Sequence, residues 1–254
     1  MYRKTFYLTL IKSIYYEYTV TILPFHIVLF LFTGCNSTGT DPAQPTLALS
    51  VTARNSPLFS GKQNPTVQNS PVTITEAKIL IREVELKSDL EDDGIADDSL
   101  DFKSDSFVVV LNLEGTPNEV ALSEVASGTH DEIEFEVHKP EDNETPPDSD
   151  FQTGTSGDER FSVIISGTYD GQDFIYRSRE NMEQKIELNA PLEIAEDSGP
   201  VNLTMLVDLS EWFMDENGNS LAPNNPENKN AIDDTIRRSF EDIFKDNNKD
   251  GQED

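Results

Sequence analysis

The sequence predicts a mainly β protein: an antiparallel, Greek-key β-sandwich with one C-terminal α-helix. Three observations carry that prediction. Short stretches of period-two alternation recur between Leu47 and Leu209. An Asp170-Gly171 pair sits at the centre of an apolar segment, where a two-residue hairpin turn belongs. From Ile232 onward the apolar period becomes helical.

Four segments follow from composition. Residues 1–34 read as a lipoprotein signal peptide, 35–45 as a flexible tether, 46–245 as a single sandwich domain with a helix over 232–244, and 246–254 as an acidic tail. The signal has basic residues Arg3, Lys4 and Lys12, an apolar run Val20–Phe32, then small residues Thr33 and Gly34 ahead of Cys35. Phe32 stands where such signals usually carry Leu. A permanent membrane helix is the competing reading, and Pro24, His26, Glu17 and Lys12 interrupt the roughly 20 apolar residues it needs. Cys35 is the only cysteine, so neither an internal disulfide nor a thiolate zinc cluster is available. Lipidation of Cys35 would anchor the chain to a membrane leaflet without spanning it. Asn36 and Ser37 after the cysteine favour the outer membrane of the cell envelope by analogy with lipoprotein sorting.

Charge narrows the partners. Setting Arg3, Lys4, Lys12 and Glu17 aside from 19 basic and 48 acidic side chains leaves 16 and 47, a net charge of −31. Such a surface repels nucleic-acid phosphates, so no nucleic-acid partner is expected; protein, glycan or divalent-cation partners remain open. The apolar fraction of 36% lies below the usual ~45–50%, which points to long loops around a few well-patterned strands.

In chain order, Asn36–Pro45 is the tether, and Leu47, Leu49 and Val51 open the first strand. Asn55–Pro71 is loop. Val72 and Ile74, then Ala77, Ile79 and Ile81, share a phase, but Val84 and Leu86 are out of step, which calls for a bulge near Arg82-Glu83. Phe107–Leu113 suits a buried strand, and Val120 and Leu122 a brief edge strand. Ile133, Phe135 and Val137 alternate with Glu132, Glu134 and Glu136, one face buried and one acidic. Glu141–Arg160 reads as a polar loop broken by Pro146-Pro147. The Asp170-Gly171 turn sets Ile165 opposite Tyr176 and Gly167 opposite Phe174. Lys185–Ile194 and Val201–Leu209 complete the strands. Over 232–244, Ile232, Ile236, Phe240, Ile243 and Phe244 fall on one helical stripe, with Asp233–Arg237, Asp234–Arg238 and Glu241–Lys245 as i,i+4 pairs.

The segments KILIREVEL (Lys78–Leu86), VVLNL (Val109–Leu113) and SGTHDEIEFEV (Ser127–Val137) form a spaced pattern. It resembles uncharacterised bacterial cell-envelope lipoproteins, of Bacteroidota type, with a transthyretin-like β-sandwich. Asn112 stands where that family usually has Asp, and His130 where it usually has an aromatic residue. The resemblance implies a fold and an envelope setting, and no catalytic residues.

Candidate chemistry is confined to acidic loops and one aromatic pair. Asp246, Asn248, Asp250 and Gly251 occupy positions 1, 3, 5 and 6 of a calcium loop, but the position that should supply a closing bidentate Glu lies beyond Asp254. Asp89, Glu91, Asp93 and Gly94 repeat the spacing, with Leu100 where the closing carboxylate belongs. A solvated acidic loop is the alternative for both. Trp212 and Phe213 either form a sugar platform or cap the core. His138 is expected to face solvent. No zincin, nucleophile-elbow or phosphate-loop motif occurs, so the chain reads as a non-enzymatic, lipid-anchored binding or structural module; a calcium-assisted adhesin or glycan binder is the alternative.

Overall fold

A computed structural model describes residues 45–54, 71–87, 102–103 and 105–254. The chain divides between Gly39 and Thr40 into two units, and every described residue belongs to the second. Its strands are β1 (Thr46–Arg54), β2 (Val72–Lys87), β3 (Phe102–Lys103), β4 (Phe107–Val110), β5 (Asn118–Glu124), β6 (Gly128–Val137), β7 (Val163–Tyr169), β8 (Gln172–Ser178), β9 (Met182–Ile194), β10 (Val201–Asp208) and β11 (Phe240–Lys245), with helix α1 at Lys229–Arg237. One sheet runs β11-β10-β1-β5. The other runs β8-β7-β2-β6-β9, with β3 and β4 also paired to β2. Buried apolar side chains of both sheets and of α1 form one core, in which Phe135 of β6 meets Phe240 of β11 edge-on at 5.2 Å between ring centres. The expected sandwich is therefore present. Its pairing is antiparallel except at one place: β1 and β10 run parallel, Leu47 beside Val201 through Arg54 beside Asp208, where the two side chains form an ion pair at 3.0 Å.

β2 organises the larger sheet. β3 and β4 line one of its edges in a single register, Leu86 beside Phe102 through Lys78 beside Val110. The other edge is shared. β7 pairs with Val72–Ile79, and β6 takes over from Ile81 to Lys87. At the changeover the Leu80 N–H donates to the Ser162 carbonyl, and the Leu80 carbonyl accepts from His138 N–H. The register shifts between Ile81 and Glu83, where the sequence placed a bulge. The extra residue flips the side-chain phase, so that Ala77, Ile79 and Ile81 and then Val84 and Leu86 all reach the core.

The hairpin of β7 and β8 has the predicted register, with Ile165 opposite Tyr176 and Gly167 opposite Phe174. Asp170 and Gly171 both adopt positive φ, 49° and 76°, as a type I′ turn demands. Gly167 is required by space: a Cβ there would lie 2.2 Å from the Thr73 carbonyl oxygen.

The helix is shorter than the apolar stripe over 232–244 suggests. α1 ends at Arg237, the Ser239 hydroxyl donates to the Ile236 carbonyl, and the chain continues as β11. The reason is a bulge at Glu241. Val207 of β10 pairs with Phe240 and its neighbour Leu206 with Asp242, so one step on β10 spans two on β11. Phe240 and Ile243 thus point inward from a strand while keeping the i,i+3 spacing of a helix face. The expected ion pairs are corrected with it. Asp233 turns inward and bonds Lys229 at 2.5 Å, Asp234 pairs with Arg237 at 2.6 Å, and Arg238 reaches Glu216 at 3.9 Å.

Polar anchors dock α1. The Thr235 hydroxyl bonds the Trp212 carbonyl at 2.6 Å, and the Tyr176 hydroxyl donates to buried Asp233 at 2.7 Å. Burial, reinforced by the Asp233 carboxylate, pushes the Tyr176 phenol well above its ordinary range, so it remains a donor throughout the folded pH range. Tyr176→Phe leaves the Asp233 carboxylate short of a buried donor, and denaturant unfolding should show a loss of about 1–3 kcal/mol; an unchanged midpoint would mean the helix is held by apolar contacts alone.

Candidate functional site

Of the two acidic loops singled out in the sequence, the C-terminal one lies within the described residues. It lies against the smaller sheet. The positions between the core-facing residues of β1 and β10 carry Ser50, Asn202 and Thr204, all buried. Ser50 Oγ donates to Asn202 Oδ1 at 2.8 Å, and Asn202 Nδ2 donates to Thr204 Oγ1 and to the Asp246 carbonyl. Thr204 Oγ1 donates in turn to Asp246 Oδ2 at 2.8 Å. The Asp246 carboxylate, fully buried, also accepts from the N–H groups of Asp250 and Gly251, at 3.0 and 2.9 Å. Positive φ at Lys249 and Gly251, 58° and 81°, turns the chain tightly enough for those bonds. Lys249 pairs with Glu119 of β5. This tail is a packed closure over one face of the sheet.

The same arrangement decides what Asp246, Asn248 and Asp250 can do chemically. Asp246 spends its carboxylate on three protein donors. Asn248 and Asp250 are exposed and use a side-chain oxygen on the Asp250 and Gln252 N–H groups respectively. Among the described residues, no three His, Cys, Asp or Glu side chains converge as metal ligands. The second acidic loop, Asp89, Glu91 and Asp93, and the lipidation candidate Cys35 lie outside the described residues.

Trp212 and Phe213 belong to the core, which corrects the platform reading. Trp212 is 0% exposed and Phe213 4%. Phe213 packs edge-on against Phe174 and Tyr176, at 5.4 and 5.9 Å between ring centres. Rings enclosed in this way present no face to a sugar. The indole N–H of Trp212 is buried without an acceptor, so the side chain serves by its volume. His138 is also buried, against expectation. Its Nδ1–H donates to the Lys139 carbonyl at 2.5 Å, and Nε2 accepts from Arg82 at 3.1 Å.

What sequence reasoning missed is the segment from Lys139 to Ser162. It folds over the outer face of β2, where Phe151 and Phe161 join Leu80 and Ile164 in a second small core. Arg160, 1% exposed, sits beneath it and donates to the backbone carbonyls of Asp142, Glu144 and Thr155. Lys78 reaches from β2 to Asp148 and Asp150, at 3.0 and 2.8 Å. The Asp150 N–H and then the Lys78 ammonium hold the Asp148 carboxyl below the usual range. The only local clue was a lone Phe151 in a polar stretch, which has no period to read.

Clefts among the described residues include the following two. One, of about 390 Å³, is lined by Leu188, Leu192 and Ile243 together with Lys245, Glu253 and Asp254. The other, of about 410 Å³, lies between the Asp215–Asn217 turn and the Arg237-Arg238 end of α1. Among the described residues no helix is long and apolar enough to cross a membrane. No protein-family model, curated protein or solved structure matches the chain.

Trp212 is the only tryptophan, so its emission reports this core directly. Native protein should emit at short wavelength, resist acrylamide quenching and ignore added glycans; exposed-type emission that shifts with glycan would restore the platform reading.

Proposed function

We propose that this chain is a lipid-anchored cell-envelope β-sandwich that acts as a non-enzymatic binding or structural module. The observation that carries the reading is the apolar run Val20–Phe32 closing on Thr33-Gly34-Cys35, with the sole cysteine followed by a polar tether and then the first strand at Thr46. The interval from Cys35 to Thr46 reaches at most about 35–40 Å when fully extended. The sandwich therefore works close to the bilayer that holds it, while its charge of −31 keeps it off anionic head groups. The non-enzymatic part is supported by how buried ionisable groups are used: Asp233 fixes a helix, Asp246 a tail and Arg160 a loop. The resemblance to transthyretin-like envelope lipoproteins points the same way. Cys35→Ala, or inhibition of the lipoprotein signal peptidase, should change the mass of the protein and move it out of the membrane fraction; unchanged mass and fractionation would remove the anchor.

A second reading, a calcium-assisted adhesin or glycan binder, rests on the loop Asp246–Gly251. Its turn brings the position-5 and position-6 N–H groups to the position-1 carboxylate and leaves Asn248 and Asp250 facing solvent. Titration with millimolar calcium decides it. The calcium reading expects heat and a raised melting temperature, both lost in Asp250→Ala. The structural reading expects neither, and expects Asp246→Ala to lower stability equally with and without calcium.

A further inference from the structure

β8 is an edge strand of the larger sheet, and it is built unlike a protected edge. At its midpoint stands Ile175, 54% exposed; the only other exposed large apolar side chain among the described residues is Val110, at 46%. The two-residue turn at Asp170-Gly171 makes Tyr169 and Gln172 a hydrogen-bonded pair, so the bonds to β7 alternate from there. Asp173, Ile175 and Arg177 consequently aim their backbone N–H and C=O groups away from β7, and the same three side chains are exposed. Neither Asp173 nor Arg177 has an ion-pair partner among the described residues. Arg177 is instead held over the Phe161 ring, its guanidinium carbon 5.5 Å from the ring centre.

We propose that β8 pairs with β8 of a second copy of this chain, antiparallel about a two-fold axis at Ile175. That register sets Ile175 against the partner's Ile175, and Asp173 against the partner's Arg177 twice over. Each of the three outward-facing residues exchanges backbone bonds across the axis, which joins two sheets into one. Parallel pairing in the same register sets like charges side by side. A shift of two residues sets Ile175 against a charge and breaks both Asp173–Arg177 matches. Only the centred antiparallel register places Ile175 on Ile175 and both Asp173 side chains on Arg177.

Cysteine cross-linking in the full chain, in native membranes under mild oxidant, tests the register. In a hydrogen-bonded pair the Cα atoms lie about 5.5 Å apart, within disulfide range, so Ile175→Cys should give a reducible dimer of twice the chain mass. Gln172→Cys, exposed on the same strand but opposite the partner's Ser178, should cross-link about tenfold less under this geometry. Adding Asp173→Arg to Ile175→Cys should cut the dimer about tenfold, because like charges then oppose each other twice. Adding Arg177→Asp as well should restore it. The unsubstituted chain, which has only Cys35, gives the background. A monomeric Ile175→Cys chain, equal cross-linking at both positions, a mixed disulfide with another protein, or indifference to charge reversal would each overturn the proposal.

Discussion

One edge of one strand has to serve two neighbours, and the larger sheet is arranged around that constraint. β2 is the longest strand, and two partners compete for the same side of it: β7 over its first half and β6 over its second. Both can be satisfied only if the strand changes direction between them. The bulge after Ile81 does this, and Leu80 gives its N–H to one neighbour and its carbonyl to the other. Because the bulge also reverses the side-chain phase, the residues before and after it meet the same core. The Leu80 side chain itself is left on the opposite face, and the segment from Lys139 to Ser162 covers it with Phe151 and Phe161.

A second constraint comes from polar groups placed where water cannot reach. Ser50, Asn202 and Thr204 lie on the buried outer face of the smaller sheet, and each would be costly without a partner. Ser50 bonds Asn202, and the C-terminal tail supplies partners for Asn202 and Thr204 through Asp246. Arg160 solves the equivalent problem under the other sheet by engaging three loop carbonyls. In both places a charge that reads in the sequence as part of an acidic or polar surface is an interior fastening. Spacing alone does not reveal that the first carboxylate of the tail is occupied by the protein's own donors.

Legibility followed the range over which each feature is determined. The β7–β8 hairpin could be read to the residue because Asp170-Gly171 fixes its register locally. The β2 bulge was visible as a slip in the apolar phase. The end of α1 was not, because a bulge at Glu241 gives a strand the i,i+3 spacing that defines a helix face. The parallel β1–β10 pair, the buried tail and the docking of Asp233 on Tyr176 join residues far apart in the chain, and no local pattern encodes them. Trp212 and Phe213 illustrate the same limit. Large aromatic side chains after a strand fit a platform or a core equally well until the helix that covers them is placed.

The central structural claim is that β6 and β7 share one edge of β2 through Leu80. Amide-detected NMR on the folded protein tests it directly. The account predicts a strongly exchange-protected Leu80 N–H with contacts to Ser162, and a His138 N–H protected by the Leu80 carbonyl. Rapid exchange at Leu80, or cross-strand contacts placing β6 and β7 on opposite edges of β2, would contradict it.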